Sequence, residues 1–191
     1  MKSKRTNFGI FYVLMIAALV ILISGSVELD AMGQEAAMKG GTFAKDFIPT
    51  WQRAKDYSLK FAEAMPEEHY KFKPTPEIMS YGEQLVHFAG ATFWFASKVK
   101  GEKSPVKEFK AEEKSKAEII AFLKDSFAYA EKAVAGLSDE EAAKEIPLFG
   151  KLILTKAQTL MTIRDHVTHH RGQMVIYLRL KNIKPPEYVG W

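Results

Sequence analysis

His166 and His170 stand four residues apart in the stretch from Thr162 to Gln173, TIRDHVTHHRGQ, which carries three of the five histidines of the chain. On a helix this spacing stacks both imidazoles on one face about one turn apart, as a divalent metal ion requires of two ligands from a single helix. Two ligands do not close a site. With no cysteine in the 191 residues, any further ligand is a nitrogen or oxygen donor. His87, between Leu85 and Phe88 on an apolar stretch, can complete a three-nitrogen set. Such a set keeps positions open for water or substrate, the arrangement of a catalytic rather than a structural metal centre. The plainer alternative is that His166 and His170 lie on an exposed helix face, that His87 is a packed core residue, and that no ion is bound.

The neighbouring residues sort by the same reasoning. Ile163, His166, His170 and Gln173 share one helical face. His169 points about 100° away from His170, which suits a hydrogen bond behind the site or a helix contact. His69 falls in a proline-rich link and reads as exposed. A ligating histidine usually gives its second N–H to an acceptor, and the candidate carboxylates are Glu83, four residues before His87, and Asp165. Arg171 reads as a surface residue or a carboxylate partner, and Phe93, Trp94 and Phe95 as core or pocket wall. There is no HExxH, no persuasive Ser-His-Asp order and no glycine-rich phosphate loop, so no catalytic base or nucleophile is named.

Helices must position these groups. Apolar residues from Phe43 to Ala62 recur at helical spacing, which predicts a first helix over about 42–64 with Pro49 in its first turn or at a kink. Residues 66–79 carry Pro66, Pro74 and Pro76 and read as an irregular link. Ser80 with Glu83, Ser115 with Glu118, and Thr155 with Gln158 each form a capping-box pattern ahead of an apolar periodic run. They predict helices ending by Gly101, by Gly136 and near Lys181. Ser138 with Glu141 can open one short turn, and Glu145 to Leu154 reads as extended or looped, with no convincing sheet. The expected fold is all-α, a four-helix bundle with one long connection between its second and third helices.

The N-terminus differs in character. Lys2, Lys4 and Arg5 precede an uncharged apolar run from Phe8 to Ile23, the pattern of a secretory signal or, uncleaved, of a membrane anchor. The expected organisation is a signal peptide or anchor over 1–26, a tether over 27–41 and one domain over 42–191. The expected location is exported and periplasmic, with the option of anchoring by an N-terminal transmembrane helix. The first 26 residues hold three basic and no acidic side chains, so the remainder, with 24 basic against 23 acidic, carries a formal charge of only +1. That balance argues against a nucleic-acid partner.

The segments KPTPEIMSYGEQLVHFAGATFWF and HVTHHRGQMVIYLRLKNIKPPEY together resemble the DinB family of four-helix metalloproteins, the DinB/YfiT-like fold, from about residue 43 to the C-terminus. The resemblance implies an up-down-down-up bundle and a divalent ion (zinc, nickel or iron) held by three histidines. By position these are His87, His166 and His170. It also implies pairing into homodimers and, in some relatives, transferase or isomerase chemistry on low-molecular-weight thiols. The leader departs from a family that looks mostly cytosolic, and an exported copy would meet little reduced thiol. Two functions follow as expectations: a metal-dependent hydrolase or thiol-dependent transferase of a small-molecule substrate, or a non-catalytic metal-binding or stress-related interaction protein.

Overall fold

Three helices start where a hydroxyl side chain and an acid or amide exchange hydrogen bonds with each other's backbone. Ser80 accepts from the Glu83 amide at 3.3 Å while the Glu83 carboxylate accepts from the Ser80 amide. Ser115 with Glu118 and Thr155 with Gln158 repeat the exchange, each satisfying two backbone donors that a helix start leaves without partners. In the computed structural model, which describes residues 40–189, the helices are α1 (Thr42–Ala64), α2 (Tyr81–Lys100), α3 (Lys116–Val134), α4 (Asp139–Ala142) and α5 (Lys156–Leu180). Short 3-10 turns lie at Glu67–His69 and Ala111–Glu113. Strands β1 (Glu145–Pro147) and β2 (Ile153–Thr155) pair antiparallel, with Ile146 opposite Leu154.

The expected four-helix count is therefore corrected to five α-helices among the described residues. The additional helix, α4, has a physical task. Gly41 brings no side chain to cap α1; instead the Asp139 carboxylate accepts from the Thr42 and Phe43 amides, each at 3.0 Å. The segment expected to be extended or looped is a hairpin, turning through Gly150 at φ +58°. With α1 starting at Thr42, Pro49 lies inside the helix rather than in its first turn.

Further corrections concern the N-terminus and partners. Among the described residues no helix is long and apolar enough to cross a membrane, so the expected transmembrane helix and the periplasmic placement built on it find no such helix there. The leader, 1–26, and nearly all of the tether lie outside the described residues. The histidines gathered below come from one chain, and nothing among the described residues supports the expected homodimer. Nothing in the fold bears on the expected exclusion of nucleic acid.

The long helices pack in pairs, α2 against α3 and α5, and α1 against the same two. Their directions follow from contacts at one end. At the end of α1, the Phe61 carbonyl accepts from Tyr81 at the start of α2, and the Met65 carbonyl accepts from Lys116 at the start of α3. Tyr177, near the end of α5, donates to the Met79 carbonyl just ahead of α2. So α1 and α5 finish where α2 and α3 begin. The parallel pair α2–α3 requires the long crossing segment between them.

One continuous core fills the bundle. Trp51 of α1 packs on Phe127 of α3 with ring centroids 4.6 Å apart, and its indole N–H donates to the Phe127 carbonyl at 3.1 Å. Ile163, Val167 and Met174 turn α5 inward.

Gly41 tests the α1–α4 closure. A Cβ at this position would lie 2.5 Å from the Asp139 amide nitrogen, so Gly41→Ala is expected to displace α4 and cost about 1–3 kcal/mol, as overpacking does. A urea denaturation midpoint equal to that of the parent protein would show that the closure carries no stability.

Candidate metal centre

His87 on α2 meets His166 and His170 on α5. Ring centroids lie 5.1 Å apart for His87–His166, 4.7 Å for His87–His170 and 4.5 Å for His166–His170. One ligand nitrogen from each lies within 4.8 Å of the others. The expected spacing on α5 thus places two imidazoles one turn apart, and the third comes across the α2–α5 contact. Burial is graded: His170 is 4% exposed, His166 is half-buried and His87 is exposed.

His170 is held by a chain of hydrogen bonds whose direction follows from the groups in it. The Met79 carbonyl can only accept, so Tyr177 donates its hydroxyl proton there, at 2.6 Å. The Tyr177 oxygen in turn accepts from Gln84 Nε2 at 3.1 Å. Gln84 Oε1 therefore faces His170 Nδ1, at 2.5 Å, and the imidazole is the donor. The proton of a neutral His170 then sits on Nδ1 and the Nε2 lone pair points at His166 Nε2, 3.1 Å away. One N–H can bridge that gap. A cation can instead draw on both lone pairs, and on His87 as well.

Electrostatics favours neutral rings. Desolvation, then the neighbouring histidines, pushes His170 down to about 3 and His166 down to about 4, while desolvation alone lowers His87. Near neutral pH the three rings present lone pairs, the form in which histidine binds metal. A neutral all-nitrogen set with one ligand oriented by an amide fits a borderline divalent ion.

The remaining candidates go elsewhere. Glu83 is engaged in its capping box and pairs with Lys73 at 3.1 Å, and Asp165 pairs with Arg164 at 2.8 Å. Neither expected carboxylate orients a histidine; Gln84 does. Gln84 lies three residues before His87 on the same helix face, a spacing that could have exposed it. Gln173 contacts the exposed His169 at 2.9 Å rather than joining His166 and His170. His69 is half-buried in a 3-10 turn, outside the cluster. Arg171 pairs with backbone rather than a carboxylate, donating to the Ala54 carbonyl at 2.9 Å while lying over the Tyr57 ring. Phe93 belongs to the core, whereas Trp94 and Phe95 line a cleft of about 660 Å³ that also takes in His87 and His166.

The DinB family profile matches residues 32–188. This chain belongs to the DinB family. YjoA of Bacillus subtilis is 30% identical over 132 residues, covering 65% of this chain and 82% of that protein. The crystal structure of that DinB-like protein superposes with a TM-score of 0.62 at 21% identity, covering 75% of this chain and 96% of the other. A DinB-like protein from Bacillus cereus gives 0.66 at 20% identity, with 76% and 97% covered. At those identities the structural likeness speaks to the fold, and the DinB-like bundle is shared.

Two outcomes test the histidine environment. Gln84→Leu removes the acceptor that fixes His170 and should weaken the affinity for a divalent ion roughly 10–100-fold, read by competition with a chromogenic chelator. Unchanged affinity would remove Gln84 from the site. In chelator-treated protein, the folded state binds fewer protons at His166 than the unfolded state between its usual 6.5 and about 4. Stability therefore falls as pH drops through that window. The Tm should decline more steeply from pH 7 to pH 4 in the parent than in His166→Gln/His170→Gln, and parallel profiles would contradict this.

Proposed function

We propose that this DinB-family protein binds one divalent metal ion through His87, His166 and His170 and uses it as a hydrolase or transferase centre. The observation that carries the reading is the convergence of three imidazole nitrogens within 4.8 Å of one another. Zinc suits three nitrogens and one open position; nickel and iron suit the same donors with more open positions. A bound ion would supply Lewis acidity, polarising a substrate atom or lowering the pKa of a water or thiol group.

The protein residues divide the remaining tasks. His170, the buried ligand, is locked in one tautomer by Gln84 and anchors the site to the core. His87 and His166 stand where the cleft meets the cluster, so an ion held by them would be reached from the cleft. Gln84 and Tyr177 hold a proton on Nδ1 and do not reach the cleft. Among the cleft residues Glu108 carries a carboxylate and Lys107 an amine, both exposed.

Elemental analysis of the full chain, purified without a histidine tag, tests the proposal. About one equivalent of a divalent ion is expected in the parent, and its loss in His87→Ala, His166→Ala and His170→Ala. No ion after reconstitution with zinc, nickel and iron, in a protein that remains folded, would overturn it.

A further inference from the structure

The cleft beside the histidines has a composition that a site for small polar substrates alone would not need. Trp94, Phe95, Phe109 and Phe149 line it together with Gly90. Phe149 projects from the β1–β2 turn and is 57% exposed, yet it stacks on Trp94 with centroids 5.7 Å apart. Aromatic surface of this kind is usually kept on a protein for contact with an apolar partner. Gly90 adds an independent observation. It lies in α2, one turn beyond His87, and a Cβ built on it meets nothing within 4 Å. Glycine is a poor residue inside a helix, and here no packing neighbour requires it. What its missing side chain leaves is open space in the cleft lining, a floor one turn beyond His87.

We propose that the cleft is a binding site for a small molecule with a flat apolar body and an oxygen, nitrogen or sulfur donor head, the body lying over Gly90 against the stacked Trp94–Phe149 pair and the head at His87 and His166. The part concerning the head rests on the metal reading above; the part concerning the body does not. The cleft, at about 660 Å³, lies within the range of sites for compounds of that size.

Two hydroxamic acids with the same chelating head separate the two parts. In zinc-loaded full-length protein, calorimetry should show 2-naphthohydroxamic acid binding at least about tenfold tighter than acetohydroxamic acid. Gly90→Phe fills the floor and should erase that advantage while leaving metal content unchanged and thermal stability no lower. Phe149→Ala should reduce the advantage in part. Equal affinities in the parent, or an advantage that survives Gly90→Phe, would overturn the proposal. Should the parent take up no metal, the metal reading alone fails. The body site is then tested with an anilinonaphthalene fluorophore in metal-free protein: binding lost in Gly90→Phe supports it, and absence of binding to the parent overturns it.

Discussion

A buried imidazole must find a partner for each nitrogen or lose the hydrogen bonds it made to water. At His170 that requirement is met across the α2–α5 contact by Gln84. Apolar side chains tolerate small slips between helices, but the run from Met79 through Tyr177 and Gln84 to His170 does not. Because it ends on a backbone carbonyl, its polarity is decided outside the site. Helix register, ring orientation and the position of the imidazole proton are then one structural fact. The aromatic packing of Tyr81 on Tyr177 and of Phe88 on His170 keeps water from offering alternatives to this run.

The opposite side of α5 solves a different problem. Arg171 follows His170 directly, and its cation is partly withdrawn from water among α1 residues. Carbonyl and hydroxyl oxygens of Ala54, Ser58 and Thr168 and the face of Tyr57 surround it. Desolvation lowers its pKa, although a guanidinium stays charged at any physiological pH. Successive residues of one helix thus tie α5 to α2 through a neutral ring and to α1 through a cation.

What the sequence made legible were features with local rules. Capping boxes depend on residues three apart, and all three were read correctly from Ser80, Ser115 and Thr155. The histidine pair depends on the helical period alone. What stayed hidden depends on distant chain segments. Asp139 caps a helix almost a hundred residues away, so neither the cap of α1 nor the purpose of α4 could be read locally. The hairpin lacks alternation and contains Pro147 and Gly150, which speak for a loop unless pairing is known. Gln84 is hidden by its type, because carboxylates are the more usual partners of a ligating histidine. An amide serves here because it can accept from His170 and donate to Tyr177 at once, which a carboxylate cannot.

The lining of the cleft has two origins. His87, His166 and Gly90 sit on long helices locked into the core, whereas Phe109 and Phe149 come from the α2–α3 crossing segment and the turn between β1 and β2. Connections accept changes of length and composition that core helices refuse. Relatives of this chain are therefore free to diverge in what they admit while keeping an unaltered histidine centre. Two proteins of this build with matching histidines need not present the same cleft, and the crossing segment and the hairpin turn are where their divergence would be written.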